Sequence, residues 1–269
     1  MKIKENAETM CLINFHFGDH PTYKLVIAAN RDEAYARPTA EASFWKDEPA
    51  ILAGRDLKQM GTWLGITKQG RFAALTNFRD PTLPETGKIS RGEIVRNYLA
   101  HNMKPEDFIE RLRKERNHYA GFNILLGSPD QLFHYNNILD ELSEITPGTH
   151  ALSNHTLNTP WPKVVKGREL LREQVKRNNQ INPSALFRIT SNAEKAPDDL
   201  LPNTGVGIEL ERILSPLFIT SSHYGTRSST VILVDRENNV IFRERIYQQG
   251  EFHSENTFKF SIGKGWDKT

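Results

Sequence analysis

Met10-Cys11-Leu12-Ile13-Asn14-Phe15-His16-Phe17 is followed closely by Lys24-Leu25-Val26-Ile27-Ala28-Ala29-Asn30-Arg31-Asp32-Glu33. The first stretch is apolar with alternation and predicts a strand. The second is a near-continuous apolar run that stops in charge, which predicts a buried strand ending at Asn30-Arg31-Asp32-Glu33. Two successive strands pair as an antiparallel hairpin, so the end of the second lies beside the start of the first. That start is Cys11, the only cysteine in 269 residues. The hairpin therefore predicts that Cys11 meets the Asn30–Glu33 segment.

A lone cysteine is most often a small buried hydrophobe. Cys11 has a second reading because of what precedes it. Residues 1–9 are a polar leader. If translation starts at Met10, or the leader is cut off, Cys11 becomes the first residue after Met removal. Thiol and α-amine then share one residue, a nucleophile with its own general base. The amine's reference pKa of roughly 7.7–8.0 suits proton transfer at neutral pH. With the leader attached, that nitrogen is an amide and the mechanism is lost. Arg31 at the strand end is expected to favour the thiolate and bring its pKa below the reference of about 8.5. Asp32 or Glu33 is positioned to hold the α-ammonium. Asn77 and Asn154 each close a small-residue strand end, where an amide can donate to an oxyanion. Arg227, at the entrance to a late strand, is a candidate second cation over the pocket. Taken singly, Asn30–Glu33, Asn77 and Asn154 read first as turn chemistry, and Arg227 reads equally as a surface arginine.

Around this centre the elements predict strands, then helices, then strands. Gly61–Ile66 and Arg71–Asn77 flank the turn Lys68-Gln69-Gly70. Ser90-Arg91-Gly92-Glu93 reads as a capping box, and Pro105 opens a second helix. Strands are expected near 123–126, 132–136 and 149–154, and a polar helix over 161–177. Helical pieces fall near 184–191 and 208–214. Terminal strands are expected at 217–220, 229–235, 240–245 and 258–262. This order is an α+β pattern with largely antiparallel sheet. No repeat or linker interrupts it, so residues 11–269 read as one domain after an extension over 1–10.

Apolar residues make up 38% of the chain and charged residues 25%, as in ordinary soluble proteins. The net charge of +2 gives no reason to expect nucleic acid. No apolar run approaches the ~20 residues that span a bilayer. One cysteine fits a reducing compartment, so a cytoplasmic location is expected. Nine histidines lack the spacing of a zinc site, and no phosphate-binding glycine motif is present. The chemistry read here requires no cofactor. Arg111–Arg116 reads as a solvated helix face, and Trp45, Trp63, Trp161 and Trp266 as core or lid residues rather than a cofactor box.

Met10-Cys11, Ala28–Glu33, Gly61-Thr62-Trp63-Leu64-Gly65-Ile66, Ala74-Leu75-Thr76-Asn77, Leu152-Ser153-Asn154 and Tyr224-Gly225-Thr226-Arg227 together resemble the NRDE family, also called the transport-and-Golgi-organisation protein 2 family. The matches run in order over nearly the whole chain. The resemblance implies an N-terminal-nucleophile hydrolase-like fold, a four-layer αββα sandwich. Members start Met-Cys, so residues 1–9 are additional. A wider resemblance joins the cysteine amidases that cleave bile salts and penicillin V. By that resemblance Cys11 is the nucleophile, Arg31 and Asp32 the strand-end pair, Asn77 and Asn154 the oxyanion and amine contacts, and Arg227 the late cation. Asn30, Glu33, Trp63 and Tyr224 are binding candidates. The amidases separate their Arg and Asp by two residues, whereas Arg31 and Asp32 are adjacent, which makes Glu33 a rival for the acid. Two functions follow: hydrolysis of a small linear non-peptide amide, or carriage of haem or an acyl-CoA as cargo.

Overall fold

A computed structural model describes residues 10–83 and 88–263. The chain opens with β1 (Leu12–Phe17), β2 (Tyr23–Ala34), β3 (Thr39–Phe44), β4 (Ile51–Asp56), β5 (Leu64–Thr67) and β6 (Phe72–Asn77). Helices α1 (Arg91–Ala100) and α2 (Pro105–Glu115) follow, then β7 (Phe122–Ser128), β8 (Gln131–Asn136), β9 (Glu141–Glu144) and β10 (Gly148–Leu152). The chain continues through α3 (Pro162–Arg177), α4 (Pro183–Thr190) and α5 (Ile208–Leu214) to β11 (Tyr224–Asp235), β12 (Asn239–Gln248) and β13 (Glu251–Ser261).

Two antiparallel sheets form, ordered β10-β1-β2-β11-β12-β13 and β3-β4-β5-β6-β7-β8-β9. Strand periodicity divides each into two apolar faces. Ile13, Phe15, Leu25 and Ile27 of the first sheet pack against Leu64, Ile66, Phe72 and Ala74 of the second. The opposite face, with Leu12, Val26, Ala28 and Val231, packs on α3 and α4. Ala73, Leu75 and Ile124 pack on α1 and α2. The result is the αββα sandwich.

The hairpin of β1 and β2 forms as the sequence predicts, with Leu12 opposite Asn30. Its end differs. β2 does not stop at Asn30 but runs through Asn30–Glu33 to Ala34, because β11 continues the ladder there, with Thr226 opposite Asp32 and Gly225 opposite Glu33. The strand expected over 217–220 is instead a single bridge, Thr220 to Gly225. β3, β4 and β9 were not foreseen. β3 buries one residue, Ala42, and β9 none, so neither carries an apolar period. Ser90 does precede α1, but its side chain makes no capping hydrogen bond. The leader and Trp266 lie outside the described residues.

Close backbone approach fixes where α1 begins. A Cβ on Gly61 would lie 2.5 Å from the carbonyl carbon of Gly92, and the Thr62 N–H donates to the Gly92 carbonyl at 3.1 Å. No side chain fits between two backbones this close. Gly61→Ala is therefore expected to lower unfolding free energy by about 1–3 kcal/mol in denaturant titration. An unchanged midpoint would mean that α1 can back away at no cost.

Candidate functional site

A cavity of about 240 Å³ opens between the sheets at the end where β1 begins. Cys11, Arg31 and Glu33 line it from one sheet. Trp63, Leu75 and Asn77 line it from the other side, with Ser90, Arg91 and Gly92 at the start of α1. The alternation of β2 splits the Asn30–Glu33 segment between two faces. Arg31 and Glu33 point into the cavity, 3.4 Å apart. Asn30 and Asp32 point to the helical layer. Asn30 Nδ2 donates to the carbonyls of Thr190 and Leu217, and its Oδ1 accepts from Ser229 Oγ at 2.6 Å. It ties strands to loops and does not line the cavity. Asp32 Oδ1 accepts from Thr226 Oγ1 at 2.6 Å, while its Oδ2 accepts no hydrogen bond among the described residues.

The other candidates divide similarly. Asn77 is 4% exposed and lines the cavity, and its Nδ2 donates to nothing among the described residues. Asn154 is buried beside it, but its Nδ2 donates to the Asn77 carbonyl at 3.1 Å and its Oδ1 accepts from Ser153 Oγ. Arg227 sits at a bulge in β11 and gives one guanidinium nitrogen to the carbonyls of Ala34, Tyr35 and Arg37. It clamps the turn after β2 and is not in the cavity wall. Tyr224 lies on the helical face, where its hydroxyl accepts the Met10 N–H at 2.7 Å. Trp63 is in the wall as expected.

Burial dominates the electrostatics of the thiol. Cys11 is 1% exposed, and desolvation first, with the Asp32 charge second, pushes its pKa up to about 12. The Arg31 charge and the Asp32 backbone N–H pull the other way and lose. Arg31 thus acts in the expected direction, but the expectation that the thiol pKa falls below its reference fails for the chain as it folds with Met10 attached. A single cation at a fully desolvated site does not offset both the burial and two nearby carboxylates.

Sequence reading missed several cavity residues. Arg37 pairs with Asp56, and Arg55 pairs with Asp47 through both terminal nitrogens. Glu244 of β12 lines the cavity floor, accepts the Ala42 N–H at 2.6 Å, and has its pKa raised by burial to about 7. Outside the cavity wall, Lys163 at the start of α3 is buried, and its Nζ makes no hydrogen bond among the described residues. No local pattern marks these residues, because each reaches the site from a distant element. Among the described residues no cluster of His, Cys, Asp and Glu has the arrangement of a metal site. No helix among them is long and apolar enough to cross a membrane.

Two facing antiparallel sheets between helical layers, with a cysteine at the start of the first strand opening on the inter-sheet cleft, define the N-terminal-nucleophile hydrolase-like class. Two variant structures of conjugated bile acid hydrolase from Clostridium perfringens superpose at TM-scores of 0.54 and 0.51, each at 10% identity. The first match covers 96% of this chain and 99% of that one. At such identity the likeness concerns the fold. A sequence model of the Transport and Golgi organisation 2 family matches residues 10–249, and the chain belongs to that family. Relatives include the Transport and Golgi organization protein 2 homologs of Bos taurus, 35% identical over 88% of this chain and 92% of that protein, and of Homo sapiens, 34% identical over 94% and 99%.

Desolvation of the thiol has a direct kinetic consequence. At pH 7.5 iodoacetamide should modify Cys11 in the native protein at least about a hundredfold more slowly than in the same protein unfolded in guanidinium, since three pKa units remove about a thousandfold of thiolate. Equal rates would show that the cavity leaves the thiol as acidic as in water.

Proposed function

We propose that this chain is a cysteine-dependent hydrolase of small linear amides other than peptides. The observation that carries the reading is that Cys11 and Asn77, whose Nδ2 has no hydrogen-bond partner among the described residues, open on one cavity. Buried donors without partners are rare in folded proteins, and one beside a thiol suits a developing oxyanion. In this reading the Cys11 thiolate attacks the amide carbonyl and Asn77 donates to the resulting oxyanion. The C–N bond breaks to give an acyl thioester, and water then releases the acid. Arg31, held by Glu33, supplies positive charge beside the sulfur. Glu33 takes the role of the acid on the cavity face, and Asp32 serves the α-amine side. Asn154 sets the Asn77 backbone, and Arg227 holds the turn that carries Arg37. The substrate is small, because the cavity is below the usual 300–1,000 Å³ of ligand sites. A reducing compartment such as the cytoplasm suits a free thiol of this kind.

A second reading is favoured by Met10. With Met10 in place the Cys11 nitrogen is an amide, and the thiol is held protonated by burial. Under that reading haem or an acyl-CoA is cargo that is not turned over, and the cavity of about 240 Å³ receives only part of it, the rest lying outside its mouth; a hydrolase-like fold does not forbid this.

A chain beginning at Met10 and processed to expose Cys11 should cleave a panel of N-acyl amides about 10²–10⁴-fold faster than the 269-residue chain, the usual worth of a general base. Cys11→Ala in the short chain should be inactive. If both lengths are inactive, and Cys11→Ala binds haem or an acyl-CoA as well as the parent, the hydrolase reading fails and the carrier reading stands.

A further inference from the structure

Exposed apolar side chains gather at the rim of the cavity. Among the described residues nine large apolar side chains are exposed, and three of them, Leu57 at 49%, Met60 at 44% and Ile89 at 43%, stand at the mouth. Leu57 and Met60 belong to the turn after β4, which the Asp56 N–H closes by donating to the Gly61 carbonyl at 3.0 Å. Asp56 and Gln59 of that turn line the cavity, and Ile89 lines it from the segment before α1. The two tips are neighbours because Gly61 lies against Gly92, the approach that leaves no room for a Cβ. Two more of the nine, Ile138 and Leu139, extend the rim. Arg91 Nη1 donates to the Gly121 carbonyl at 3.0 Å, and a Cβ on Gly121 would meet Ile138 Cγ1 at 3.2 Å. Single exposed apolar residues are ordinary, but five of the nine around one opening mark an interaction surface. Met60 also holds a φ of 59°, in the left-handed region where glycine or asparagine is usual, and still presents its side chain outward.

The charge at the rim is chiefly basic. Outward of Arg31, Glu33 and Glu244, the charged residues that line the cavity are Arg37, Arg55, Lys88, Arg91 and a single acid, Asp56. Asp56 pairs with Arg37, and Arg55 pairs with Asp47. Lys88 Nζ donates to a carbonyl, that of Asn117, at 2.6 Å. Lys58 stands exposed in the turn between Leu57 and Met60. Apolar tips with lysine and arginine beside them suit the headgroup layer of an anionic bilayer. The tips reach the acyl boundary, and the cations meet the lipid phosphates. A folded protein suits this rim less well. It would cap the mouth, and none of the five side chains is aromatic, the type most enriched in protein interfaces. A fluid bilayer covers the tips and leaves a path for a small amphiphile to pass from it into the cavity.

We propose that the mouth of the cavity docks on an anionic lipid surface, with Leu57, Met60 and Ile89 inserted and Lys58 and Lys88 against the headgroups. The docking does not depend on Cys11 and is the same whether the cavity hydrolyses its ligand or carries it.

The test is flotation of the full 269-residue protein with vesicles of phosphatidylcholine, either alone or with about 30% phosphatidylserine. Partition onto the anionic vesicles should exceed that onto the neutral ones at least about tenfold, and about 0.5 M salt should release the protein. Leu57→Asp and Ile89→Asp should each weaken partition about tenfold. Lys58→Glu combined with Lys88→Glu should weaken it by at least as much. None of these side chains is buried, so all four substitutions should leave the melting temperature unchanged. Phe252→Asp alters an exposed apolar residue of β13, opposite Tyr247 and away from the mouth, and should float as the parent does. Three results overturn the proposal: no flotation with anionic vesicles, flotation unchanged when Leu57→Asp and Ile89→Asp are combined, or an equal loss in Phe252→Asp. Cys11→Ala should float as the parent does, so a failed flotation and a failed amidase assay are separate results.

Discussion

Antiparallel pairing of β1 with β2, with Leu12 opposite Asn30, decides what surrounds the thiol. The register puts Cys11 across from Arg31 and Met10 across from Asp32, where the Met10 N–H donates to the Asp32 carbonyl. A slip of one residue would turn Cys11 onto the helical face and Arg31 away from it. The register is secure because both faces are buried. Ile13, Phe15, Ile27 and Ala29 fill the space between the sheets, while Leu12, Val26 and Ala28 fill the space under α3 and α4. Each slipped register would expose or misplace all of them.

The same period of two makes a single polar segment serve two environments. Arg31 and Glu33 form the cationic and acidic wall of the cavity. Asn30 and Asp32 face the helical layer, where Asn30 is bonded through both side-chain ends and Asp32 Oδ2 has no hydrogen-bond partner among the described residues. The start of β1 is therefore approached from both sides. The cavity side offers an amide donor in Asn77 and charge in Arg31. The helical side offers Asp32, Lys163, Arg79 and Tyr224 around Met10, whose Sδ accepts from Arg79 at 3.3 Å. Fully desolvated ionisable groups sit close enough to set one another's charge, which is a costly arrangement for stability.

Much of this was legible in the sequence, and the gaps have physical causes. The β1–β2 hairpin, the β5–β6 hairpin around Gly70, the Pro105 helix start and the late strands follow from apolar period and turn residues. So does the meeting of Cys11 with Arg31. The extension of β2 through Asn30–Glu33 was hidden because four polar residues look like a strand end. Here each polar side chain finds a partner or a cavity within the sheet. β3 and β9 bury almost nothing, so no period betrays them. The sign of the Cys11 shift was misread because the sequence shows the neighbouring charge and not the depth of burial. Lys163 was invisible for the opposite reason: a lysine in a polar helix reads as solvated until the helix is seen lying on β1.

The most direct measurement is the mass of the Cys11 peptide after the protein meets an activated N-acyl amide and is quenched in acid within one turnover. The expected result is a single added acyl group on that peptide, absent in Cys11→Ala. An unmodified Cys11 with the amide nonetheless consumed, or an acyl group carried elsewhere and retained in Cys11→Ala, would contradict a nucleophilic thiol at the start of β1.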